Sequence, residues 1–214
     1  MADCGVACIV SKKNTNIAAL ATISGVKLQH RGELSSGVSL WRPNSPKIVV
    51  HKGKGIMREI LEDRLDKLYG TRAQVHVRYA TTGAGSDSHN NHSKEDYLEQ
   101  IIENAQPFYR RHGNRYKRFS LSWNGTIKNT DEICQRLQEE RHYYDLETNT
   151  DTELILHTIA VSTAEEPEGR KPDLKKVFTK VASALIGGYC ITYLNGEGTV
   201  VALRDPLGIR PLCY

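Results

Sequence analysis

The apolar positions of this chain follow two periods. Residues 4–10 alternate and predict a strand that opens the core. Across 16–28, Ile17, Leu20, Ala21, Ile23 and Leu28 fall roughly on one helical face, with Gly32 just beyond as a stop. Residues 36–41 and 47–51 predict a hairpin around Pro43-Asn44-Ser45-Pro46. The interval 56–69 predicts an amphipathic helix carrying Ile56, Ile60, Leu61, Leu65 and Leu68, ended by Gly70. A strand over 74–79 leads into a Thr/Gly/Ser-rich stretch at 81–88, and 94–102 predicts a short helix. Residues 119–123 predict a strand running into Asn124-Gly125. Asn129 and Glu132 form a capping-box pair for a helix reaching about Glu140. Helices over 152–160 and 173–185 flank a loop at 165–172, and 188–194 with 199–203 close the chain as a hairpin around Asn195-Gly196. Strands at both ends with helices between them predict an α+β fold of sheet layers covered by helices.

Composition narrows the function classes. With 214 residues the chain can bury one sizeable core, and 39% hydrophobic with 25% charged residues is ordinary for a globular protein. A net charge of +4 is too small to point to nucleic acid. No apolar run approaches the roughly 20 residues needed to cross a bilayer, and no signal peptide is evident, so a cytoplasmic protein is expected. Five scattered cysteines (Cys4, Cys8, Cys134, Cys190, Cys213) show no C-x-x-C pair, so no disulfide framework, zinc or iron–sulfur site is expected. No Gly-rich loop joins a strand to a helix, which excludes dinucleotide-binding and P-loop readings.

Cys4, followed at once by Gly5, is the leading chemical candidate. Were Met1-Ala2-Asp3 removed, one residue would carry both a thiol and an α-amine of pKa about 7.7–8.0, suited to act as a base at neutral pH. The alternative is a small buried cysteine on a first strand. Polar clusters recur where strands end: Gln29-His30-Arg31-Gly32, the run from His76 to Gly83, Asn104-Ala105-Gln106-Pro107-Phe108, Trp123-Asn124-Gly125, Thr150-Asp151-Thr152-Glu153, and the run from Arg204 to Leu212.

In this order these motifs resemble the glutaminase domain of the amidophosphoribosyltransferase family, class II glutamine amidotransferases. The resemblance runs from Cys4 to Leu212. It implies a four-layer αββα sandwich of the N-terminal nucleophile hydrolase type, with residues 1–3 as a propeptide-like leader and 4–214 as the glutaminase domain. It implies hydrolysis of glutamine to glutamate and ammonia through a Cys4 thioester, with no metal or organic cofactor for that step. Asn124 and Gly125 would stabilise the oxyanion. Arg78 would hold the substrate α-carboxylate with its planar fork, and Asp151 the α-ammonium. Thr81 would line the pocket, and Arg31 would support the site. The expected partners are glutamine and an ammonia-accepting, phosphoribosyltransferase-like domain or subunit, within a homo-oligomer. Two alternatives stay open: the glutaminase domain of another amidotransferase, such as an asparagine synthetase-like protein, and a catalytically silent glutamine-binding regulatory subunit.

The chain departs from the family pattern in places. Trp123 stands where the family has His, and Cys8 where it has a second glycine. Residues 84–103 form a far longer insertion, including His89 and His92, that would serve as a lid or docking loop. The basic stretch 110–118 reads as a solvated hairpin. No segment resembles the phosphoribosyltransferase domain, so a fragment or a free-standing subunit is expected.

Overall fold

A computed structural model describes residues 4–45, 47–65, 68–79, 94–139, 150–167 and 170–214. The chain begins with strand β1 (Gly5–Thr15) and helix α1 (Ile17–Leu28), whose first turn is capped by Asn16 accepting from the Ala19 N–H at 3.2 Å. The hairpin β2 (Ser35–Trp41) and β3 (Ile48–Lys54) follows, with Asn44 in the left-handed region at φ 66° in its turn. Next come α2 (Met57–Leu61), strand β4 (Gly70–Arg78), α3 (Lys94–Glu103), and strands β5 (Phe108–Arg110) and β6 (Phe119–Ile127). Helices α4 (Thr130–Glu139), α5 (Asp151–Ala164) and α6 (Leu174–Ala184) precede the closing strands β7 (Gly187–Asn195) and β8 (Val200–Arg204).

The strands form two antiparallel sheets, ordered β1-β4-β2-β3 and β5-β6-β7-β8. Each buries an apolar face under its own helices. Ala73, Val75 and Val77 of β4 and Val38 and Leu40 of β2 meet Ile17, Ala18, Ala21, Met57 and Leu61. Phe119, Leu121, Tyr189, Ile191 and Tyr193 meet Ile155, Ile159, Val177, Phe178 and Val181. The opposite faces of the strands carry polar side chains, and these are buried too, because the sheets lie against each other. Ser39 donates to Gln74 Oε1 at 2.7 Å and lies 2.8 Å from Ser120 Oγ, while Gln74 Nε2 donates to Thr192 Oγ1 at 3.2 Å. All four residues are buried. The molecule is thus a four-layer αββα sandwich whose middle seam is stitched by hydrogen bonds, since buried polar groups must find partners.

Two elements differ from the sequence expectation. The helix expected over 56–69 stops at Leu61 and passes into a 3₁₀ turn at Glu62–Arg64. Gly70 is not its stop but the first residue of β4, paired with Thr15. Strand pairing with β1 and β2 takes up the chain there. Asn129 does not act as the expected cap: its side chain accepts from the Ile186 N–H at 2.9 Å and donates to Ala184 O at 3.0 Å, tying the start of α4 to the link between α6 and β7. The basic stretch is a hairpin loop, as expected: β5 pairs Arg110 with Phe119, and Arg110 and Arg118 donate to the loop's own carbonyls.

Candidate active site

Cys4 sits one residue before β1. Gly5 pairs with Val77 in antiparallel register, so extending the ladder by one residue sets Cys4 opposite Arg78 at the end of β4. Burial pushes the Cys4 thiol above its ordinary pKa. The Tyr79 N–H and the charges of Arg78 and Arg210 act against that rise. Burial outweighs them, so the neutral thiol is favoured at this position. Cys8, two pleats along the same strand face, has no such company: burial pushes its thiol up to about 12, with only the Thr192 hydroxyl opposing, so it is an inert filler of the seam.

Arg31 reaches the backbone of the cysteine, Nε donating to Cys4 O at 3.1 Å. Gly32, next in the chain, passes so close to β4 that an added Cβ would lie 2.3 Å from the Arg78 carbonyl carbon and 2.4 Å from the Tyr79 nitrogen. Leu34 N–H then donates to Arg78 O at 3.0 Å. The His30-Arg31-Gly32 corner thus supports the backbone on both sides of the Cys4–Arg78 pair.

Asn124-Gly125 is not a turn. Both residues lie within β6, paired with Cys190 and Tyr189 of β7. The peptide before them is held from three directions. Trp123 N–H donates to Gln106 Oε1 at 2.7 Å, Trp123 O is 3.2 Å from His76 Nε2, and the indole N–H donates to Thr152 Oγ1 at 2.7 Å. Gln106 Nε2 also donates to Thr152 Oγ1, at 3.3 Å. The β5 ladder ends at the Phe108–Leu121 pair, so the Gln106 side chain supplies the acceptor that a longer strand would have offered Trp123. Asn124 is 7% exposed, and its Oδ1 has no hydrogen-bond partner among the described residues.

His76 links the sheets two residues before Arg78. Burial, then the Arg78 charge, push it down to about 3, with the Trp123 carbonyl opposing, so it is neutral at physiological pH. Asp151 is the first residue of α5. Burial raises its carboxyl pKa, while the Ile127 N–H at the end of β6 works the other way. The structure thus joins Cys4, Arg78 and Arg31 directly, and ties Asn124, Gly125 and Asp151 to them through Trp123, His76 and β6. Thr81, His89 and His92 lie outside the described residues.

Sequence reasoning passed over His76, Gln106 and Arg210 as individual residues, although each stands inside a motif it quoted. Their signal is tertiary: each acts across the gap between elements. Arg210 is placed by Asp205, which accepts from the N–H groups of Ile209 at 2.9 Å and Arg210 at 3.0 Å. Burial works to raise the Asp205 carboxyl, but the N–H groups of Arg210, Ile209 and Tyr189 outweigh it and hold the carboxyl below the usual range. Among the described residues, no group of three or more His, Cys, Asp or Glu could hold a metal ion, and no helix is long and apolar enough to cross a membrane.

Two opposed sheets with a cysteine at the head of the first strand define the N-terminal nucleophile hydrolase fold. Residues 94–214 match the family model of the glutamine amidotransferase domain. The amidophosphoribosyltransferase of Methanothermobacter thermautotrophicus is 32% identical over 213 residues, covering 99% of this chain and 39% of that protein. The amidophosphoribosyltransferase of Rattus norvegicus is 31% identical over 220 residues, covering 99% of this chain and 38% of that protein. The solved glutamine phosphoribosylpyrophosphate amidotransferase of B. subtilis, complexed with ADP and GMP, aligns with a TM-score of 0.70 at 25% identity, over 96% of this chain and 38% of that one. The chain belongs to the glutamine amidotransferase domain family and matches the glutamine-hydrolysing part of amidophosphoribosyltransferases. It spans about two fifths of the length of these relatives.

Proposed function

We propose that residues 4–214 form a class II glutaminase domain in which Cys4 attacks the side-chain amide of glutamine. Residues 1–3 serve as a leader whose removal frees the Cys4 amine. That amine takes the thiol proton as the thioester forms and returns a proton to departing ammonia; water then releases glutamate. Asn124 Nδ2 and the Gly125 N–H stabilise the oxyanion, Arg78 binds the α-carboxylate, Asp151 binds the α-ammonium, and Thr81 lines the pocket. Arg31 holds the Cys4 backbone and stays clear of the substrate.

The observation that carries this reading is the register that sets Cys4 opposite Arg78 at the end of β4; the Tyr79 N–H and the Arg78 and Arg210 charges oppose the burial that raises the Cys4 thiol. The names of the relatives support phosphoribosyl diphosphate, on a phosphoribosyltransferase domain, as the ammonia acceptor. On this reading the assembly is a cytoplasmic homo-oligomer of purine biosynthesis.

Intact mass and ammonia release test the proposal together. The expected chain lacks Met1-Ala2-Asp3, yields ammonia and glutamate in equal amounts from glutamine, and loses that activity in Cys4→Ala. A chain that keeps Ala2 and releases no ammonia favours a silent glutamine-binding subunit. Activity that survives in Cys4→Ala overturns the nucleophile assignment.

A further inference from the structure

Three consecutive carbonyls at the C-terminal end of α3 are bonded by two cations of the first sheet. Lys52 Nζ donates to Glu103 O at 2.9 Å and to Ala105 O at 2.6 Å, and Arg78 Nη1 donates to Asn104 O at 2.6 Å. Carbonyls at a helix C-terminus lack helical partners and carry partial negative charge, so cations are favoured there. The Lys52 ammonium also lies 4.9 Å from the Phe108 ring centroid. Burial, and then the neighbouring Arg78 charge, lower the Lys52 amine to about 8, with Glu103 opposing.

The next residue extends this strap across the sheet. Gln106 O lies where a Cβ on Gly37 would be only 2.3 Å away, and Gly37 pairs with both Lys52 and His76. The segment from Glu103 to Gln106 therefore runs over β3, β2 and β4 before its last side chain braces Trp123. Lys52 makes two of the three cation contacts that hold the strap's first three residues.

We propose that Lys52 is a positioning residue for substrate recognition: by taking the Glu103 and Ala105 carbonyls, it leaves Asn104 O as the one strap carbonyl that Arg78 must bond. A guanidinium has five N–H donors, and bidentate recognition of a carboxylate needs two, so Arg78 keeps donors for glutamine while its orientation is set by the strap. Lys52 does not touch the reacting amide. The inference rests on Arg78 being the carboxylate clamp.

The test compares steady-state hydrolysis of L-glutamine with that of 4-aminobutanamide, which has the amide and the amine but no α-carboxylate. Lys52→Met is expected to raise the glutamine KM about tenfold, with kcat within about twofold, as the loss of a charge-assisted anchor behind the clamp would do. Its kcat/KM for 4-aminobutanamide stays at the parent level, and Lys52→Arg restores the glutamine KM. An unchanged glutamine KM in Lys52→Met, or an equal loss for both substrates, overturns the inference. Should Lys52→Met fail to fold, Lys52→Gln decides by the same split. A raised KM in Arg78→Lys beside an unchanged one in the Lys52 variants overturns this inference alone. An unchanged KM in Arg78→Lys, or an inactive parent, overturns the clamp reading and this inference with it.

Discussion

Replacing Gln106 with Met isolates the brace behind Asn124-Gly125. Met has nearly the length of Gln and no amide, so the change leaves little cavity and removes two hydrogen bonds. The Thr152 hydroxyl keeps its 2.7 Å bond from the Trp123 indole and loses only a 3.3 Å donor, so it adds little to the cost. The Trp123 N–H is different: it loses its 2.7 Å acceptor inside a buried site, where Gln106 is only 5% exposed. An unpaired buried donor costs about 1–3 kcal/mol. For a domain of this size each kcal/mol moves Tm by roughly 2–4 °C, so a drop of about 2–12 °C is expected in a thermal melt. Activity falls further than stability alone would require. Removing an oxyanion donor costs about 2.7–4 kcal/mol in barrier height, and loosening one forfeits part of that, so kcat should drop about 10–100-fold. Glutamine KM should hardly move, because Gln106 makes no bond to Arg78 in the structure. A variant with Tm within about 1 °C of the parent and unchanged kcat would refute the bracing argument.

Gly32→Ala places a methyl group 2.3 Å from backbone that cannot swing aside; a loss of about 1–3 kcal/mol, visible as a lower Tm, is expected, and parent-like melting would contradict it. Asp151 makes a pH prediction of unusual sign. Its carboxyl pKa is raised by burial, so folding favours the neutral form: its contribution to stability is greatest below the ordinary Asp value of about 3.9 and is lost as pH rises through the raised value. Asp151→Asn should therefore melt higher than the parent at neutral pH, yet bind glutamine with a raised KM. A lower Tm for Asp151→Asn at neutral pH would count against this account.

Much of the fold was legible in the chain because local physics dictates it. The apolar face at 17–28 became α1, and the helices expected over 152–160 and 173–185 became α5 and α6. The sequence placed strands over 74–79 and 119–123, within β4 and β6. It could not say what covers their polar face. A strand with alternating polar residues ordinarily turns them to water, whereas Gln74, His76, Ser120 and Ser122 are buried against the opposing sheet.

The candidate site divides in the same way. Cys4, Arg78, Asn124, Gly125 and Asp151 could be singled out because the ordered motifs that carry them resemble those of a glutaminase family. Asn-Gly is a dipeptide that favours tight turns, and only pairing with Cys190 and Tyr189 of β7 holds it in a strand. The supports were not legible: Gln106 acts across 17 positions on Trp123, His76 across 47, and Lys52 across 51 and 53 on the end of α3. The sequence by itself determined where most strands and helices fall, because these depend on neighbours within a turn or a pleat. Tertiary structure alone decided which polar face was buried, which way the Cys4 and Asp151 pKa values moved and what holds Arg78. Burial and hydrogen-bond partnership belong to the packed arrangement of distant segments.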